Sequence, residues 1–298
     1  MWVSATSLSR RRLLLRSSQA LAAGLVATRF KPLLASEKDR GFLIGACDWS
    51  LGTRADTAAF ELAREIGLDG VQISLAIEND EVQLRSPEVQ KRYLDAATRT
   101  GVRIGSLAIG ELNRVPLKSD PRAAQWLLES IDVCEALGQS IVMPAFFGKG
   151  ELDMQNAREI DTVVRSLRAA ADKAEKKRVI IGLENWLSAD ENMRLIDQVG
   201  SPAVKVYYDV GNSTDRGRDI FKEIRQLGKL ICEFHAKDGK HMLGQGRIDF
   251  REVRRAIDDI GYRGWIVIEA ASPNGVVADY TAHARYLRQV FPQSVPKG

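Results

Sequence analysis

Four short β-rich runs in the second half of the chain each end on a residue that can bind a divalent metal ion. Val179–Glu184 ends on Glu184, Val204–Asp209 on Asp209, Leu230–His235 on His235 and Trp265–Glu269 on Glu269. Three carboxylates and one imidazole suit a hard-to-borderline ion, Mn²⁺ first, with Mg²⁺, Co²⁺ or Zn²⁺ as alternatives. A single polar residue at a strand end is an ordinary loop cap. Four in succession, including one of only three histidines in the chain (His235, His241 and His283), point to a ligand set. The three cysteines, Cys47, Cys134 and Cys232, are widely spaced and form no CxxC or Cys/His cluster, so free thiols in apolar surroundings are expected.

Such residues converge only if the elements carrying them lie side by side. From residue 42 onward, β-rich runs alternate with amphipathic helices. The other four runs are Phe42–Ala46, Gly70–Leu75, Val102–Ile109 and Ser140–Phe146, and helices are predicted near 57–67, 87–100, 121–137, 154–177, 190–199, 218–227, 250–260 and 279–290. In the first helix Ala59, Leu62, Ala63 and Ile66 recur at i, i+3, i+4 and i+7, opposite Arg64 and Glu65. Gly67, Gly101, Gly138, Gly200, Gly228 and Gly261 close helices, and Ser86-Pro87 and Asp120-Pro121 open them. Eight strand–helix units over about 250 residues predict a single-domain (β/α)8 TIM barrel across 42–291, with the active site at the C-terminal ends of its strands. A doubly wound sheet is the weaker alternative, because no GxGxxG follows the first run. Period-2 alternation puts Lys205 and Tyr207 on the same face as Asp209, and Glu233 with His235, so a Lys205–Glu233 pair inside the barrel is expected, with Lys205 in water at the open lower mouth as the alternative.

The composition, 45% hydrophobic and 28% charged, is that of an ordinary globular chain able to bury a large core. The net charge of +4 belongs to one end. Arg10, Arg11, Arg12, Arg16, Arg29 and Lys31 fall within residues 1–35, which hold no acid; the remainder has 37 basic and 39 acidic residues, a net of −2. Such a body does not favour nucleic acid. The leader reads Ser9-Arg10-Arg11-Arg12-Leu13-Leu14-Leu15, followed by the apolar stretch 20–27, too short to span a membrane. It resembles a Tat-type signal, which predicts residues 1–35 as signal and tether, the Tat machinery as a partner, and export to the periplasm. That route carries folded proteins and suits one that loads its metal first.

The body resembles the xylose-isomerase-like barrel superfamily, in its sugar (phosphate) isomerase/epimerase branch. The resemblance rests on Asp209-Val-Gly-Asn212, His235-Ala-Lys-Asp-Gly239, Leu243-Gly-Gln-Gly-Arg-Ile-Asp-Phe250 and Gly261-Tyr-Arg-Gly-Trp-Ile-Val-Ile-Glu269. It implies one divalent metal held by Glu184, Asp209, His235 and Glu269, with Glu184 and Glu269 also catalytic. Ketose 3-epimerases of the group carry a histidine where this chain has Asn212, and a substrate-binding arginine where it has His241. The apurinic endonuclease branch, with three zinc ions and many histidines, does not match a chain with three histidines.

Substrate contacts are expected from Trp49, Trp186, Phe146 and Phe147, whose rings could stack on a sugar, and from Glu111, Asn113, Asp190, Asn212, Lys237 and His241 as polar partners. Gly244 and Gly246 are expected to shape a tight turn, with a phosphate cradle the sharper alternative. The activity expected is isomerisation or epimerisation of a sugar or keto-sugar by proton transfer through an enediolate. An elimination that cleaves keto-glycosides is the rival, and a catalytically silent sugar-binding barrel is a weaker third.

Overall fold

The protein is described by a computed structural model covering residues 41–293. Eight parallel strands close in sequence order into a barrel. They are β1 (Leu43–Cys47), β2 (Gly70–Ser74), β3 (Arg103–Ile109), β4 (Ile141–Phe146), β5 (Ile180–Asn185), β6 (Val204–Asp209), β7 (Ile231–Ala236) and β8 (Trp265–Ile268). The helices are α1 (Ala58–Ile66), α2 (Pro87–Thr100), α3 (Pro121–Ala136), α4 (Ala157–Lys177), α5 (Ala189–Val199), α6 (Val210–Asp215), α7 (Ile220–Leu227), α8 (Phe250–Asp259) and α9 (Val276–Val290). The (β/α)8 TIM barrel read from the sequence is the observed fold, and no helix among the described residues is long and apolar enough to cross a membrane. The 1–35 leader lies outside the described residues.

Local sequence accounts for the elements. α1 buries Ala59, Phe60, Ala63 and Ile66 and ends at Gly67, whose φ of 87° lets its N–H reach the carbonyls of Ala63 and Arg64. Asp120 caps α3 by accepting from the N–H of Arg122, with Pro121 opening the helix. α6 was not foreseen. It is six residues long, too short to show a helical period, and Asp209 serves as its N-cap.

The lower barrel is filled from one strand. The indole of Trp265, at the start of β8, lies against Gly45, Gly70 and Gly105; a Cβ built at Gly70 would sit 2.5 Å from the ring and 2.7 Å from the Arg103 carbonyl oxygen. All three cysteines are buried free thiols. The expected Lys205–Glu233 pair is corrected by the structure. Lys205 extends through the N-terminal mouth and donates to the carbonyl of Lys229 at 2.7 Å, which keeps its ammonium near water. Glu233 is fully buried and accepts from Ser106 Oγ at 3.4 Å. The β6/β7 ladder is regular from Tyr207 opposite Glu233 to Asp209 opposite His235, as alternation expects, but Val206 faces Ile231, so β7 carries an extra residue between the level of Glu233 and that of Lys205.

The loop after β1 is tied to β2 by Asp48, which is 0% exposed. Its carboxylate accepts from Ser74 N at 2.8 Å, Ser74 Oγ at 2.7 Å and Ala55 N at 3.1 Å. Asp48→Ala leaves the Ser74 amide buried without a partner and should cost about 1–3 kcal/mol of stability. Chemical denaturation of the two proteins measures this; a change within about 0.5 kcal/mol, as for an ordinary surface substitution, would reject the structural role.

Candidate metal centre

Asp209 ends β6, Glu184 and His235 each lie one residue from the end of β5 and β7, and Glu269 follows β8 directly. Closure of the barrel brings one ligand atom from each within 4.8 Å of the others. The Nδ1 atom of His235 is 2.9 Å from Glu184 Oε1 and 3.7 Å from both Asp209 Oδ2 and Glu269 Oε2. His235 is fully buried, and Glu184 and Asp209 are nearly so.

Three of the four side chains have one polar atom held by the scaffold and the other turned to the common centre. Asp209 Oδ1 accepts from the backbone N–H of Asn212 at 2.8 Å, while its buried Oδ2 faces the centre and the Lys237 ammonium. Glu269 Oε1 accepts from the indole N–H of Trp49 at 2.9 Å, leaving Oε2 facing inward. His235 Nε2 meets Gln72 Oε1 at 2.7 Å, leaving Nδ1 at the centre. This arrangement, with three carboxylates and an imidazole, fits a divalent cation.

Lys237 brings an ammonium to the cluster. Its ammonium is 3.0 Å from Asp209 Oδ2 and 2.7 Å from Glu269 Oε2. Its aliphatic stem crosses directly over Gly211, where a Cβ would collide with Lys237 Cγ. The Asp209-Val-Gly sequence thus supplies both a ligand and the passage by which Lys237 reaches it.

Crowding of charge shows in the titration of the group. Burial alone would depress His235, but Glu184, Glu269 and Asp209 overcome it and raise the imidazole to about 9. Burial pushes Asp209 up to about 7 despite Lys237. Burial would also raise Glu269, yet His235, Lys237 and the Trp49 hydrogen bond bring it down to about 2. A cluster that keeps a proton on its histidine at neutral pH must release it before Nδ1 can donate to a metal.

The remaining expected residues divide. Trp49 and Lys237 join the ligands directly, and Asn212 is bound to Asp209 through its backbone. Glu111 is buried and pairs with Arg54 at 2.8 Å. Asn113 Oδ1 accepts from Phe147 N at 2.8 Å. Trp186 lies 5.1 Å from the Phe147 ring, and the Arg216 guanidinium sits over the Trp186 ring at 4.3 Å. Phe146 is fully buried, and exposed Asp190 is bonded to Gln226. The backbone N–H of His241 bonds to the Asp238 carbonyl oxygen within the loop after β7. None of the described contacts of Glu111, Asn113, Trp186, Asp190 or His241 is to a ligand.

Gly244 and Gly246 do shape a turn: their open sides are occupied by the Tyr286 ring and the Asp238 carboxylate. Asp238 Oδ2 in turn accepts from Ile248 N at 2.9 Å, so this loop is organised around its own acid. Sequence reasoning missed Gln72 and Cys47, which both contact the imidazole of His235. A glutamine inside the apolar run Gly70-Val-Gln-Ile-Ser74 was the available signal, but only barrel closure sets β2 across from β7.

A family model described as xylose isomerase-like TIM barrel matches residues 60–290. The chain belongs to the xylose isomerase-like TIM barrel family. This barrel is 26% identical over 224 residues to a 2-epi-5-epi-valiolone 7-phosphate 2-epimerase of Actinoplanes sp., covering 72% of this chain and 81% of that one. It is 25% identical over 230 residues to an L-ribulose-5-phosphate 3-epimerase of Salmonella heidelberg, covering 70% and 79%. Among solved structures, the D-allulose 3-epimerase of Methylomonas sp. in complex with D-allulose superposes with a TM-score of 0.70 at 18% identity, covering 84% of this chain and 97% of that one.

Two measurements follow for this xylose isomerase-like barrel. Calorimetry at pH 8, repeated in buffers of different ionisation enthalpy, should show proton release on metal uptake, because His235 is held near 9 when metal-free. His235→Ala should lose most bound metal while remaining folded; stoichiometric metal in that variant would remove the residue from the ligand set.

Proposed function

We propose that this barrel is a divalent-metal-dependent epimerase or isomerase of a sugar or keto-sugar, with Glu184 and Glu269 as the acid–base pair. The observation that carries this reading is the buried convergence of Glu184, Asp209, His235 and Glu269 at the C-terminal mouth of the barrel. The similarity to proteins named as sugar and sugar-phosphate epimerases agrees with it.

Glu184, Asp209, His235 and Glu269 would hold the ion, Mn²⁺ first among the candidates. When bound, it would polarise a carbonyl and its neighbouring hydroxyl and make the adjacent C–H more acidic. Glu184 and Glu269 come from the two ends of the four-strand arc, so they can address a reacting carbon from different sides. One removes the proton and the other returns it, through an enediolate. Trp49 fixes one oxygen of Glu269 and leaves the other facing the centre, beside the Lys237 ammonium. Lys237 offsets part of the carboxylate charge and holds Glu269 ionised, the form that accepts a proton. Trp186 and Phe147 offer aromatic surface for a sugar face.

Keto-sugars and keto-glycosides incubated with enzyme and Mn²⁺ in D₂O test this. Solvent deuterium at the reacting carbon is expected in the product, with Glu184→Gln and Glu269→Gln each losing at least about a hundredfold in rate, the scale of one acid–base contribution. Product free of solvent deuterium would reject the proton-transfer assignment while leaving the ligand set standing. Release of a free aglycone would instead establish elimination.

Export by the Tat route is part of the same proposal, supported by Ser9–Leu15 and the acid-free leader. Residues 1–35 fused to a reporter should direct it out of the cytoplasm, and substitution of Arg10, Arg11 and Arg12 by lysine should block this. A reporter retained with the native leader would reject export.

A further inference from the structure

Deep in the barrel, on the side of His235 away from the ligand centre, a small polar group sits among apolar walls. Gln72, from the middle of β2, is 1% exposed. Its Oε1 lies 2.7 Å from His235 Nε2 and 3.3 Å from Cys47 Sγ, and its Nε2 lies 3.5 Å from Met143 Sδ. These neighbours settle which way the amide points. As placed, the oxygen receives two hydrogens, from the thiol and the imidazole, and the NH₂ faces a sulfur that can only accept. In the flipped amide, the oxygen would face the thioether lone pairs, and a buried acceptor would go unmet.

The choice fixes the imidazole. With Oε1 facing it, Nε2 must carry hydrogen, so the lone pair of the neutral ring sits on Nδ1, 2.9 Å from Glu184 Oε1 and facing Asp209 and Glu269. With the flipped amide, Nε2 would accept and Nδ1 would keep its hydrogen, pointing it into the space the ligands share. We infer that Gln72 is the positioning residue of the metal centre: it holds His235 in the one tautomer and ring orientation that presents Nδ1 as a donor. Cys47 and Met143 hold Gln72 in turn, so three residues from β1, β2 and β4 set the chemistry of a ligand on β7. The inference rests on the metal-binding reading above and on no particular substrate.

The test uses the full-length protein with Zn²⁺ and Mn²⁺ alone as probes. Gln72→Met keeps the length of the side chain and removes the acceptor; Gln72→Glu keeps an acceptor. Metal affinity by calorimetry should fall about 10–100-fold in Gln72→Met, the range found for outer partners of ligating histidines, and hold at or above wild type in Gln72→Glu. The two variants separate hydrogen bonding from packing, since a purely space-filling role would favour Met over Glu. In ¹⁵N-histidine-labelled, Zn²⁺-loaded protein, the Nε2–H proton of His235 should be strongly downfield in wild type and Gln72→Glu and move upfield in Gln72→Met. Wild-type affinity in Gln72→Met overturns the inference while leaving the ligand set intact. If Gln72→Met does not fold, a wild-type spectrum without the downfield proton overturns it instead. Wild-type protein that takes up no stoichiometric metal overturns both this inference and the reading beneath it.

Discussion

Three carboxylates inside a protein repel one another unless positive charge lies among them. Glu184, Asp209 and Glu269 converge on the space beside His235, and that convergence governs what surrounds it. The uneven result has Asp209 up near 7, where burial prevails, and Glu269 down near 2, where His235, Lys237 and the Trp49 hydrogen bond outweigh burial. Lys237 and His235 supply the positive charge of the metal-free cluster, and a divalent ion would supply more. Protons and a divalent ion would therefore compete for the same atoms.

The barrel meets this constraint by using two atoms of three of the four ligands for different ends. The N-cap of α6 occupies one oxygen of Asp209, the Trp49 indole one oxygen of Glu269, and Gln72 the rear nitrogen of His235. Each of these partners comes from a different element, and none shares a strand with the ligand it holds. Rotation of any of these three away from the centre would break a hydrogen bond to a separate part of the molecule. Rigid strands bring the side chains together, and neighbouring elements aim them.

The ligands could be read from the sequence because each lies within one residue of a strand end, and strand ends in this architecture share one height. Lys237 could be read because it lies two residues beyond His235. Gln72 and Cys47 could not: their significance depends on which strand lies opposite, and no local pattern encodes that. Alternation placed Glu233 correctly, but its pairing with Lys205 does not form, because β7 carries an extra residue below Glu233 and a lysine stem is long enough to leave the barrel. Glu111 was correctly placed near the strand ends, but its carboxylate is already engaged by Arg54. The six residues of α6 were invisible to periodicity, although their N-cap was itself among the ligands.

Trp265 and the three glycines around its ring form a lock spread over four strands of sequence: Gly45 on β1, Gly70 on β2, Gly105 on β3 and the indole itself on β8. A larger residue at Gly70 meets both the ring and a backbone carbonyl, and a smaller one at Trp265 leaves a hollow where three bare backbones face each other. Gly70 and Trp265 are thus coupled positions, while a Cβ at Gly45 would be tight at 3.2 Å and one at Gly105 would make ordinary contact at 3.6 Å. The mouth, in contrast, is built of separate loops. Substrate preference can change in this molecule without touching the seam where its first and last strands meet.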